Sequence, residues 1–185
     1  MTTMPGWSVR PHEADGLRAV VVLAPDGAPR FGVHVEWSST TTSKIGKFFD
    51  VLFRTGRIAT DSTCVVTPAG GEPVPCAPAK SSPWRRSSNT RILQLFGRQY
   101  RYRHRTDRRA VVERDGRVIA RLHRTWQWGS WGRRSAYEDP GFTVVATTDW
   151  DDADASVVFL CGAVLGPPGR EGFIGTLGQE LLSGI

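Results

Sequence analysis

Apolar and polar positions alternate along most of this chain, and the period changes decisively only near its C-terminal end. "LRAVVVLA" (17–24) is β-branched and apolar, "PDGAP" (25–29) is turn chemistry, and "RFGVHVEW" (30–37) sets Phe31, Val33, Val35 and Trp37 against Gly32, His34 and Glu36. Period two on both sides of an Asp-Gly turn predicts a β-hairpin. "RILQLFG" (91–97) reads as a short strand. In "RQYRYRHR" (98–105), Tyr100, Tyr102 and His104 fall on one face and Arg101, Arg103 and Arg105 on the other, so a strand with one basic face is expected. "RRAVVER-DG-RVIARLHR" (108–124) predicts a hairpin with a two-residue type I′ turn at Asp115-Gly116, pairing Val112 with Ile119 and Val111 with Ala120. "FTVVATT" (142–148) continues the pattern, whereas "KFFDVLFRTG" (47–56) fits a helical stripe and a strand equally.

The period breaks at "DWDDADASVVFLCGAVLGPPG" (149–169). Asp149, Asp151, Asp152 and Asp154 precede an almost uncharged run from Ala155 to Leu165, and Gly166-Pro167-Pro168-Gly169 closes it. Carboxylates ahead of an apolar run favour a helix N-terminus by capping and by complementing the dipole. The run is apolar on every side, so the helix should be surrounded by protein. Its roughly 11–13 residues are too few to span a bilayer. The expected architecture is an antiparallel β-barrel or sandwich enclosing one buried hydrophobic C-terminal helix. Residues 1–16 read as a loose lead-in, 17–168 as a single β domain with a Pro/Ser-rich surface loop at about 59–90, and 169–185 as a tail with a short amphipathic turn through Phe173, Leu177 and Leu181.

Charge changes this picture more than composition does. The 185-residue chain carries a formal charge of +6, but residues 84–134 hold 15 Arg against Asp107, Glu113 and Asp115. If those side chains share a surface, they attract anions, nucleic acid or an acidic membrane. At the end of the basic segment, "RTWQWGSWGRR" (124–134) interleaves Trp126, Trp128 and Trp131 with Arg124, Arg133 and Arg134. Aromatic rings among guanidinium groups suit a phosphate-rich partner, either lipid headgroup or nucleic acid, and the same rings equally suit packing inside a barrel. The candidate ligand-binding set is therefore Arg101, Arg103, Arg105, Arg124, Trp126, Trp128, Trp131, Arg133 and Arg134, with Arg108 and Arg109 as further phosphate candidates.

Other chemistry finds little footing. Cys64, Cys76 and Cys161 form no C-x-x-C pair and read as structural thiols. His12, His34, His104 and His123 are scattered, and "DWDDAD" fails the calcium-loop pattern at its sixth and twelfth positions, Asp154 and Leu160. There is no G-x-S-x-G and no phosphate loop. No catalytic residue, metal or cofactor is expected. No secretory segment is visible at the start, so cytoplasmic residence is the default expectation.

The run "ILQLFGRQYRYRHR … VVERDGRVIARLHRTWQWGSW … DWDDADASVVFLCGAVL" resembles the C-terminal half of LURP-one-related proteins, which share the tubby C-terminal-like fold with phospholipid scramblases. Gly97 to Tyr102, Asp115 to Arg121, Trp126 to Trp131 and Asp149 to Leu165 carry the likeness, over roughly residues 91–168. The resemblance implies a closed barrel of about a dozen strands around a central C-terminal helix. It also implies phosphoinositide or membrane association, lipid scrambling or no established activity, which the fold alone does not decide. The leading expectation is a non-enzymatic binding module for an anionic partner, chiefly membrane lipid headgroups, cytoplasmic or peripheral at the membrane. The alternatives are a nucleic-acid-binding protein and an assembly protein docking through residues 170–185.

Overall fold

The computed structural model describes residues 2–14, 17–35, 56–58, 63–79, 90–106, 108–125 and 136–165. Among them are ten strands and one helix: β1 (Ser8–Ala14), β2 (Leu17–Leu23), β3 (Pro29–Val35), β4 (Cys64–Pro68), β5 (Val74–Cys76), β6 (Arg91–Leu95), β7 (Arg98–His104), β8 (Arg109–Arg114), β9 (Arg117–Arg124), β10 (Phe142–Ala146) and α1 (Asp152–Ala163). The strands form two antiparallel five-stranded meanders, β1-β2-β3-β4-β5 and β10-β9-β8-β7-β6. The halves also share a local phrase, R-A-V-V followed by D-G and an Arg, at β2–β3 and again at β8–β9.

Period two decides what faces inward. Val20 and Val22 of β2, Phe31 and Val33 of β3, Cys64 and Val66 of β4, Tyr100 and Tyr102 of β7 and Ala110 and Val112 of β8 are all 1% exposed or less. They belong to one continuous core with α1. Residues Val157–Leu165 are fully buried on every side, as the apolar run requires. Phe159 stacks at a tilt on Trp7 (centroids 5.5 Å apart) and on Phe142 of β10 (6.0 Å).

Two bridges link the meanders. Thr2, ahead of β1, exchanges both backbone bonds with Val144 of β10 (3.0 and 2.8 Å). On the other side Pro78, just past β5, bridges Arg91 of β6, and Ala79 N–H donates to Thr90 O at 2.8 Å.

The ends of α1 are tied down by charge. Asp151 is its N-cap, accepting from Asp154 N–H at 2.8 Å, so the acidic run does cap the helix. No basic residue lies in its last turn. Instead Arg57, 7% exposed, donates to Ala163 O (3.3 Å) and to the carbonyls of Asp139 and Pro140. It supplies from outside the helix the cation that a C-terminus favours. Burial, partly offset by Asp139, brings the Arg57 guanidinium down to about 10.

Three expectations need correction. Residues 8–14 are not lead-in but the edge strand β1, paired with β2 from Ser8↔Leu23 to Ala14↔Leu17. Its Pro11, His12 and Glu13 are exposed, as edge positions tolerate. The supposed loop at 59–90 contains the hairpin β4–β5, with Cys64 paired to Cys76. The turn at Asp115-Gly116 has both residues at positive φ (49° and 82°), as type I′ demands. Yet Val112 faces Ala120 and Val111 faces Arg121, because a bulge makes Ile119 an extra residue. Its carbonyl instead accepts from Thr147 N–H and Trp150 Nε1, each at 2.9 Å. The ambiguous segment 47–56 falls outside the described residues apart from Gly56, and the 170–185 tail lies wholly outside them.

Candidate anion-binding face

Strand alternation sorts the arginines. On β7, Tyr100, Tyr102 and His104 point into the core, so Arg101 and Arg103 point out. The ladder then sets Arg101 opposite Glu113 and Arg103 opposite Val111 on β8. Val111 in turn faces Arg121 of β9, and Arg109 faces His123. Arg121 continues to Val145 of β10, and Arg101 to Ile92 of β6. The outer face of the C-terminal sheet therefore carries Arg101, Arg103, Arg109 and Arg121 around one carboxylate. The exposed aliphatics Ile92 (40%) and Val145 (38%) stand at its margins.

Glu113 is only 6% exposed although it faces outward, because two guanidinium groups cover it. Arg103 Nη2 lies 2.6 Å from Oε1 and Arg101 Nη1 3.7 Å from Oε2. One carboxylate cannot neutralise four cations, so the face stays positive. The imidazole of His123 is held below its usual value by burial and then by the neighbouring Arg109, and stays neutral at pH 7. The corresponding face of the N-terminal sheet has Arg10 on its edge strand, opposite Val21, and no Asp, Glu, Lys or Arg at the positions where β2 pairs β3 and β3 pairs β4. Val21 lies opposite Gly32, Gly32 opposite Thr67, and His34 opposite Val65.

The remaining candidates separate. Arg105 is exposed just beyond β7, its N–H donating to Arg109 O at 2.7 Å. Arg124 shares the parity of Ala120 and Leu122, so it faces the core at 6% exposure and does not belong to the outer face. Arg108 is exposed in the β7–β8 connection. Trp126, Trp128, Trp131, Arg133 and Arg134 lie outside the described residues. Arg121 was missed as a candidate. Its signal was available in "VIARLHR", where it lies between two inward apolar positions.

A second charged cluster surrounds the start of α1, and it is internal wiring. Fully buried Asp154 accepts from Tyr100 Oη (2.8 Å), Arg98 Nη1 (3.3 Å) and Arg114 Nη1. Arg98 Nη1 also meets Asp151 Oδ2 at 2.5 Å, and Arg30 of β3 meets Asp152 at 2.8 Å. The capping bond from Asp154 N–H holds the Asp151 carboxyl below its usual range, and Arg98 adds to the effect. These carboxylates are committed to cations from both sheets, which leaves none poised for acid/base work.

An apolar cleft of about 550 Å³ opens between the N-terminal segment and β10, lined by Met4, Trp7, Val144 and Trp150 among others. The indole N–H of Trp150 is already bonded to Ile119 O, so it is not offered to a ligand there. Among the described residues no helix is long and apolar enough to cross a membrane, and no three His, Cys, Asp or Glu side chains gather as a metal site would need. Comparison of the chain with protein-family models, with curated proteins and with solved structures finds no match in any of the three.

Proposed function

We propose that the chain is a non-enzymatic binding module whose C-terminal sheet engages an anionic surface, the headgroups of an acidic membrane. We further propose that its fold is the tubby C-terminal-like barrel, which the sequence resembles. The observation that carries the functional reading is the segregation of charge. Four outward arginines share one sheet face with a single carboxylate, whereas on the other sheet's outer face the middle strands set Val21, Gly32, Thr67, His34 and Val65 side by side and Arg10 stands on the edge strand β1. The fold reading draws on the fully buried helix and on the two bridges that join the meanders.

Lipid is favoured over nucleic acid by what accompanies the cations. Binding of single strands uses outward aromatic rings as stacking platforms. Among the described residues the tyrosines of β7 point inward, and the outer face offers the exposed Ile92 and Val145 instead. Each basic side chain at an acidic surface contributes about 1 kcal/mol and is screened beyond roughly 8–10 Å at physiological salt. Four such residues give weak, salt-sensitive attachment.

The test is flotation with neutral vesicles and with vesicles containing acidic lipid. The protein should float only with the acidic ones, and Arg109→Glu with Arg121→Glu should abolish this while the circular dichroism stays native. Equal recovery with both vesicle types overturns the proposal. A gel shift with a steep salt slope, in protein that ignores acidic vesicles, moves the face to nucleic acid.

A further inference from the structure

Cys64 opens β4 and Cys76 closes β5, and the two are direct partners across that antiparallel ladder. Directly opposed residues have Cα atoms about 4.5–5.5 Å apart, inside the span a disulfide requires. Both side chains point into the core at 0% exposure and both are thiols. Their surroundings are polar on one side. Arg91, itself only 1% exposed, puts Nη1 3.0 Å from Cys76 O and 3.7 Å from Cys76 Sγ. Cys64 Sγ lies 3.6 Å from that same Cys76 carbonyl.

We propose that Cys64 and Cys76 form a peroxide-responsive thiol–disulfide couple, with Cys76 the attacking sulfur and Cys64 the resolving one. The Cys76 thiolate attacks one oxygen of hydrogen peroxide. An S–O bond forms, the O–O bond breaks, and the departing hydroxide takes up a proton to leave as water. Cys64 sulfur then attacks Cys76 sulfur. The S–S bond forms, the S–O bond breaks, and the hydroxide leaves as a second water with the proton of Cys64. Two thiols lose two electrons in total and one peroxide becomes two waters.

The roles follow from the neighbours. A buried guanidinium beside Cys76 favours its thiolate. Hydrogen bonding from Cys64 together with Arg91 brings the Cys76 thiol down to about 7 against the opposing effect of burial. Cys161 on α1 is pushed the other way, by burial and then by Cys76, and stays protonated. Access to the sulfur requires local opening of β5. That strand has three residues and includes Pro75, which donates no ladder bond.

The experiment treats the native protein with hydrogen peroxide near pH 7.5, alkylates it under denaturing conditions and maps the cross-link by peptide mass. The expected result is a loss of two hydrogen masses confined to a Cys64–Cys76 link and reversed by a dithiol, with Cys161 still alkylated. Cys64→Ser should leave Cys76 as a sulfenic acid that dimedone traps. Three intact thiols in folded, peroxide-treated protein overturn the proposal. So does a disulfide that includes Cys161 as often as Cys64. The wild-type measurement decides the matter even if a variant fails to fold.

Discussion

Tyr100 on β7 donates its hydroxyl to Asp154 on α1 at 2.8 Å, joining a strand to the buried helix across 54 positions of sequence. The same carboxylate receives Arg98 and Arg114. One fully buried side chain therefore fixes where the helix begins relative to the C-terminal sheet. Asp154→Ala leaves Arg114 and the Tyr100 hydroxyl without this acceptor, while Arg98 keeps Asp151. Because both guanidinium groups also reach solvent, the loss should be about 2–3 kcal/mol. Tyr100→Phe should cost only about 1 kcal/mol, since the charges stay paired. Urea denaturation of both variants checks the order, and equal losses refute it.

All three tyrosines resist ionisation. Tyr100 and Tyr137 are pushed up to about 12 chiefly by burial, and Tyr102, wholly buried, goes well above its usual value for the same reason. A raised folded value means the stabilisation is complete below pH 10 and is lost as pH climbs toward 12. The native protein should show little tyrosinate absorbance at pH 10.5, whereas the urea-unfolded chain ionises its tyrosines around pH 10. Matching titration curves would contradict the burial of these rings.

Asp151 has the opposite sign. Its folded value is depressed, so its contribution is present above the ordinary carboxylate value of 3.8 and disappears as pH falls through the lowered one. Asp151→Asn keeps a capping oxygen but removes the charge. The difference in urea midpoint between wild type and variant should be visible at pH 6 and shrink steadily as the pH falls below 3.8. A constant gap would mean that the charge contributes nothing.

Gly162 lies in the helix interior, where alanine would ordinarily gain up to about 1 kcal/mol. Here an added Cβ would come 2.7 Å from the Phe142 ring. Overpacking of that kind costs about 1–3 kcal/mol. Gly162→Ala should therefore lower the melting temperature, and Phe142→Leu in the same chain should restore part of the loss. An alanine variant more stable than wild type would show that β10 yields easily.

Glu113 restrains the basic face by covering itself with Arg101 and Arg103. If that face binds acidic membranes, Glu113→Gln releases a net positive charge. Its affinity for acidic vesicles should rise by about 1 kcal/mol, roughly fivefold. Sedimentation with vesicles at two salt concentrations measures this. Unchanged or weaker binding would show that the sheet face is not the contact.

Much of the fold was legible where local chemistry and global packing agree. The Asp115-Gly116 turn, the inward tyrosines of β7 and the carboxylate-headed run ending at Leu165 each carry a local physical signature. β1 was hidden because an edge strand is free to hold Pro11, His12 and Glu13, residues that otherwise argue for a loop. The β4–β5 hairpin was masked by Pro68 and Pro75 at tolerated ladder positions. The shift at Ile119 was unreadable, because a bulge is decided by tertiary partners, here Thr147 and Trp150. Of the site, the outward row on β7 was plain. That Glu113 would be sequestered depends on which strands lie side by side, and no spacing in one strand reveals it.

Among the described residues the buried helix α1 follows all ten strands in chain order. During synthesis these ten strands are made before the helix they pack against. The two meanders must remain soluble with Val20, Phe31, Leu93 and Leu122 unprotected until translation reaches Leu165. A chain truncated just before Asp152 would leave that apolar surface uncovered and be a ready client for chaperones.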